Sequence, residues 1–225
     1  MSHSKRKISH LLATYRHSTQ GAMLVEFAII LPILIFLLLS GIELSRYIII
    51  LQKTERAAYT MGDIISRYSQ GELNQDVLLG TAIGNAPAGQ MMEPFDSHSK
   101  IRTIATSFYN DGTDVLVMWQ VASGGSLSGG VSSAINGRGP GSIGPGVRDT
   151  SVAFQGDTAS AMAMGGGMYD GENIISVEMF YRYEPFVNRF LGAGYRIMEP
   201  TVITRRVFFQ PREGALLNLA PNFTG

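Results

Sequence analysis

Between Ala22 and Ile42 the chain carries one charged residue, Glu26, in an otherwise apolar run. A helix over this stretch extends about 30 Å at 1.5 Å of rise per residue, which matches the hydrocarbon core of a bilayer. The stretch is therefore predicted to span a membrane. A cleaved secretory signal has a shorter apolar core with its cut site behind it. Here the small pair Gly21-Ala22 stands in front of the apolar run, so a cut there would leave the helix attached. Lys5, Arg6, Lys7 and Arg16 precede the span, and no acid does. Cations gather on the cytoplasmic side of membrane helices, so residues 1–21 form a basic cytoplasmic leader. Everything beyond about Ser45 then lies on the periplasmic side of the inner membrane. A carboxylate at the centre of a spanning helix costs about 2.5–3.5 kcal/mol, and less near its end. Glu26, at the lip of the span, still calls for a partner.

Pro32 lies inside the span. It removes one helical hydrogen bond, which membrane helices tolerate, and it marks either a helix kink or a place where subunits pack. At the outer edge Glu43 and Arg46 are three residues apart and would pair on one helix face as a membrane-interface anchor. Ile48, Leu51, Ala58, Met61, Ile64 and Ile65 approximate one apolar stripe. The helix is therefore expected to continue as an amphipathic segment over 43–70 and to stop near Gly71. Its outer half needs something to pack on.

Beyond Gly71 the pattern changes, and residues 71–225 form one extracytoplasmic α+β domain. Leu73 to Ile83 suits a short helix, and Asn85 to Pro94 reads as loop. Ile101–Tyr109 and Val115–Val121 have strand character, and Asn110-Asp111-Gly112-Thr113 between them has the chemistry of a tight hairpin turn. Gly124–Gly146 is rich in glycine and serine, with Pro140 and Pro145; such a composition buries too little apolar surface to offset its ordering entropy. It is expected to be a long mobile excursion exposed for contact. Ser151–Met164 suits a short helix. Ile174–Tyr183 alternates Ile175, Val177, Met179, Tyr181 and Tyr183 against Ser176, Glu178 and Arg182, and Thr201–Phe209 supplies a last strand. The fold class is α+β: a long N-terminal helix, membrane-spanning and then amphipathic, packed on a small antiparallel sheet.

Several functions lack the residues they need. Net charge is zero, which gives the chain no long-range field suited to nucleic acid. There is no cysteine, so disulfides and thiolate metal sites are excluded. His3, His10 and His17 lie in the leader, leaving His98 alone outside it, too little for a histidine metal cluster or a histidine-based triad. Asn110, Asp111 and Asp114 fit turn chemistry better than calcium binding, because the twelve-residue loop pattern is missing. Tyr181, Tyr183, Phe186 and Phe190, with Arg182 and Arg189, suit sheet packing better than a binding surface. No catalytic constellation, cofactor site or metal site is expected.

The N-terminal residues resemble the TadE-like pseudopilins of the tight-adherence (Flp-type) pilus assembly system. The resemblance rests on Gly21-Ala22, Val25-Glu26-Phe27-Ala28, Leu31-Pro32, Gly41-Ile42-Glu43 and Arg46, with weaker similarity at Val177–Pro185 and Thr204-Arg205-Arg206. It implies a minor pilin-like subunit in the bacterial inner membrane, cut by a prepilin peptidase between Gly21 and Ala22. Its partners would be that peptidase, other pilins and pseudopilins, the inner-membrane secretion apparatus and the lipid bilayer. Glu26 would take the place of the pilin glutamate that pairs with the new N-terminal amine, its own or a neighbour's. The alternative is an uncleaved single-pass anchor, or a pilus-tip adhesin, whose outer domain binds a surface. A tethered hydrolase is disfavoured by the missing acid, base and nucleophile.

Overall fold

The computed structural model describes residues 19–95, 99–110, 115–123, 127, 131, 133, 168–191 and 198–217. Residues 1–18 of the basic leader, the turn residues Asp111 to Thr113, His98, the expected helix over Ser151–Met164 and most of Gly124–Gly146 lie outside them. The chain divides into two units, residues 1–46 and 47–225. One continuous helix, α1 (Thr19–Ser66, 48 residues), runs through the boundary.

In the first unit α1 is apolar on all sides and nearly all of it is exposed. Met23, Leu24, Val25, Phe27, Phe36 and Leu38 are among its exposed large side chains. Among the described residues this is the helix long and apolar enough to cross a membrane. Its two serines hide their polarity. Ser40 Oγ donates to the Phe36 carbonyl and Ser45 Oγ to the Gly41 carbonyl, each at 2.8 Å, so neither hydroxyl brings an unmet donor into an apolar medium. Pro32 sits within the helix as expected.

In the second unit the remainder of α1 packs on the domain core. Ile50, Ala57, Ala58, Met61 and Ile65 are buried there, and Thr54 joins them by donating to the Ile50 carbonyl at 2.7 Å. Most of the expected stripe makes this contact: Ala58, Met61 and Ile65 are buried, and Leu51 and Ile64 are half-buried against the same core. Ile48 is 44% exposed, and Ile50 and Ala57 join the contact in addition. The helix ends at Ser66 rather than near Gly71. Arg67 and Tyr68 donate back to the Ile64 and Ile65 carbonyls at 3.3 Å, tightening the last turn. Gly71 lies beyond, in a turn with φ +96°, where only glycine is unstrained.

Asn74 then caps α2 (Gln75–Val77), its Oδ1 accepting from Val77 N at 2.7 Å. This short helix widens into a π-helical turn over Leu78–Ala82, closed by Ile83 N on the Leu78 carbonyl at 2.9 Å. The segment expected to be loop is instead a helix, α3 (Asn85–Met92). Gly84 and Pro87 look like breakers, but Gly84 is the N-cap and Pro87 falls in the first turn, where no intrahelical N–H is needed. Ala88 and Met92 bury its inner face in the core.

Four strands follow: β1 (Ile101–Asn110), β2 (Val115–Ala122), β3 (Asn173–Tyr183) and β4 (Thr201–Phe209), with α4 (Phe186–Leu191) between the last two. The sheet order is β2-β1-β3-β4 and every pair is antiparallel. A bulge between Ser107 and Phe108 shifts the β1–β2 register, whereas Ile101↔Tyr181 to Tyr109↔Asn173 pair without interruption. The fold is thus α+β, a long helix followed by a small antiparallel sheet.

One face of the sheet meets α1, α2 and α3 through Ile101, Ala105, Trp119, Val121, Val177, Met179 and Val207. The opposite face is covered too. The first eight residues of β1 are all buried, and Ile104, Phe108, Val117 and Phe180 are buried outside the main cluster. Leu127 is fully buried, and Arg102 Nη1 reaches the Val131 carbonyl at 2.9 Å. Where Gly124–Gly146 is described, it therefore lies down on the sheet instead of standing off it. Its composition concealed this because the sheet supplies the partners that the segment lacks by itself.

Candidate functional site

Gly21 and Ala22 occupy the first turn of α1 as described, two and three residues after its start at Thr19. Gly21 is half-buried, and Ala22 and Glu26 are exposed. Ala22 and Glu26 are separated by four residues, which puts them on one helix face, one turn apart, about 6 Å along the axis. Pro32 follows at six residues, with exposed apolar side chains on either side. The arrangement is a lone carboxylate near one end of a lipid-compatible rod. Glu43 is 6% exposed and Arg46 half-buried, and each has an interaction partner.

Polar structure that the sequence reading did not single out lies in the second unit. Glu178 on β3 and Arg206 on β4 face each other in the ladder. Arg206 Nε and Nη2 both donate to Glu178 Oε1, at 2.9 and 2.7 Å, and Ser133 Oγ donates to the other carboxylate oxygen. Glu178 is fully buried. In the sequence it stands only as one polar alternate of Ile174–Tyr183; the signal of a buried pair lies in the opposing Arg206, legible only once the register is known. Arg102 on β1, opposite Phe180 in the ladder, is buried too, and that burial lowers its pKa from the ordinary arginine range.

A second network holds Leu216. Leu216 N donates to Asn173 Oδ1 at 2.8 Å, while the Leu216 carbonyl accepts from Ser107 Oγ at 2.8 Å and Trp119 Nε1 at 2.9 Å. Asp63 near the end of α1 pairs with Arg67 and with Arg212, each at 2.5 Å. Glu72, just outside the helix, accepts from Ser69 N at 3.3 Å, and its hydrogen bonds with Ser69 hold its carboxyl below the usual range. Among the described residues no three histidine, aspartate or glutamate side chains converge to hold a metal. Such ion pairs and caps fasten structure, whereas most large apolar side chains of α1 before Tyr47 are exposed.

Residues 21–61 match the family model described as TadE-like protein. The N-terminal segment is TadE-like. Its matched stretch begins at Gly21, takes in Ala22, Glu26, Pro32, Glu43 and Arg46, and ends within the part of α1 that packs on the domain core. Similarity over these residues points to the tight-adherence pilus system in general terms. One long apolar N-terminal helix is consistent with a single-pass membrane anchor. No curated protein and no solved structure matches the chain, so the family evidence rests on the TadE-like helix.

Proposed function

We propose that this protein is a minor pseudopilin-like subunit supporting assembly of tight-adherence pili. In this reading a prepilin peptidase cuts after Gly21, the basic leader stays cytoplasmic and the sheet domain is periplasmic. The observation that carries the proposal is the family match from Gly21 onward on a helix that is exposed and apolar first and core-forming later. A helix of that kind serves two environments: lipid before assembly, and the apolar sides of other pilin helices after it.

Glu26 supplies direction to that packing. After cleavage Ala22 bears an ammonium group one helical turn before the Glu26 carboxylate, and in low dielectric the two attract strongly. Either partner left alone among apolar helices is costly, so docking is favoured where amine and carboxylate meet, within one chain or between neighbours. Gly21 suits a cut because it presents no side chain to an approaching active site. The role is structural rather than catalytic.

Complementation tests the assignment. In cells lacking the native copy, Glu26→Ala should still be cut yet leave pilus number and surface adherence sharply reduced, and Glu26→Asp should restore part of both. Normal piliation by a Glu26→Ala protein would remove the pilin reading of this helix.

A further inference from the structure

In the order β2-β1-β3-β4 the last strand is an outer one, and a strand in that place turns half of its backbone groups away from its own sheet. We propose that the outer edge of β4 docks an extended acidic segment of a partner protein, which adds a strand to the sheet. The inference stands on the second unit alone and holds whether or not the N-terminal helix is cut.

The register fixes which groups these are. Arg182 N donates to the Lys100 carbonyl at 2.8 Å, so the even-numbered residues of β3 bond to β1 and the odd-numbered ones to β4, since bonding direction alternates along an antiparallel strand. Opposite those odd residues stand Thr201, Ile203, Arg205, Val207 and Phe209. The N–H and C=O groups of Val202, Thr204, Arg206 and Phe208 therefore point outward. Among the described residues no hydrogen bond reaches the outward groups of Val202 and Phe208, and the Thr204 carbonyl accepts only from Arg205 Nη1 at 3.0 Å. Val202 and Thr204 are exposed. A long edge is ordinarily blunted by a proline or a bulge. β4 has neither: its sequence holds no proline, and it pairs with β3 from Thr201 to Phe209 without a shift.

Charge says what kind of strand fits. The only charged residues of β4 are Arg205 and Arg206, which as neighbours in a strand stand on opposite faces. Arg206 is engaged by Glu178. Arg205 is half-buried and forms no ion pair among the described residues. Arg182, opposite Val202 in the ladder, is exposed and forms none either. Opposite charges across paired strands stabilise and like charges destabilise. A second copy's β4 would crowd arginines along one junction, whereas a segment with two successive acids meets both faces of the edge with complementary charge. Main-chain bonds from Val202, Thr204 and Phe208 would hold such a segment, and the cations would select it.

The test titrates the full chain, in neutral detergent micelles, into two fluorescein-labelled peptides, Thr-Val-Thr-Glu-Glu-Val-Thr and its counterpart with Lys-Lys at the centre, and reads anisotropy. The glutamate peptide should bind at least about tenfold more tightly than the lysine peptide, because the arginines of the edge attract one and repel the other. Its binding should slow hydrogen exchange at the Val202 and Phe208 amides and leave the amides already bonded to β3 as they were. Thr204→Pro removes one outward N–H and no ladder bond, a change that edge strands tolerate, and should abolish binding. Arg205→Glu should reverse the preference between the peptides, a gain that misfolding does not produce. Equal affinity for the two peptides, binding of neither, protection confined to other strands, or an unchanged preference in Arg205→Glu would overturn the proposal. A wild-type dimer in analytical ultracentrifugation that Thr204→Pro returns to monomer would overturn it too, in favour of a second copy of this chain on the same edge.

Discussion

Replacing Gly62 with alanine tests how closely α1 lies on the sheet. Gly62 is interior to the helix, and a Cβ built there would stand 2.3 Å from two carbons of the Phe209 ring. Ordinary contact begins near 3.4 Å, so the ring must retreat by about 1 Å, and it holds an edge-on contact with Tyr59 at 6.1 Å that such a move disrupts. Overpacking of this kind costs about 1–3 kcal/mol, part of it the aromatic pair at about 0.5–1.5 kcal/mol. Alanine returns about 1 kcal/mol of helix propensity over glycine. The net expectation is a loss of about 1 kcal/mol, or about 2–4 °C in Tm for a unit of this size. The background reverses the sign: with Phe209→Ala there is no ring to displace, and Gly62→Ala should then stabilise by about 1 kcal/mol. Urea unfolding of the full chain in detergent micelles reads both, because Trp119 is the single tryptophan and is buried in the core of that unit. Equal stabilisation by Gly62→Ala in both backgrounds would refute the close approach.

The Glu178–Arg206 pair makes a second test: Arg206→Met leaves a buried carboxylate facing an apolar chain and should lower stability by about 3 kcal/mol, while Glu178→Gln/Arg206→Met together should recover a large part of it, as the same urea titrations would show. Acid sensitivity supplies a third. The folded pKa of Glu72 is depressed by its bonds with Ser69, so its contribution is fully present above the unfolded carboxylate value of about 4.3 and is lost as pH falls through the lower folded value. Glu72→Gln should flatten that part of the stability–pH curve, and an unchanged slope between pH 5 and the acid limit would contradict the assignment (about 5 being where such losses begin).

Much of the architecture was readable before any coordinates. The four strands sit within a residue or two of the β-branched and aromatic runs that announced them, because those runs have period two and end at glycine, proline or asparagine. The apolar span announced itself by length alone. What failed did so for physical reasons. Gly84 and Pro87 mark a helix start as readily as a loop, and only the helical bonds that follow distinguish the two. The stripe of α1 was legible at Ala58, Met61 and Ile65 but missed Ile50, Ala57 and Thr54, the last because its hydroxyl bonds to its own helix backbone and so passes as core. Coverage of the second sheet face was invisible, since Leu127 and Ser133 acquire meaning only opposite Arg102, Glu178 and Phe180. At the N-terminus the family match begins at Gly21, where the resemblance of the sequence also begins.

The central claim is that this chain is handled as a prepilin, and the intact mass and N-terminal sequence of the native membrane-bound protein test it most directly. The account predicts a new terminus at Ala22, with the leader lost in wild type and retained when Gly21 is replaced by lysine. A native protein that keeps its leader through Gly21 would contradict it and leave an uncleaved anchor.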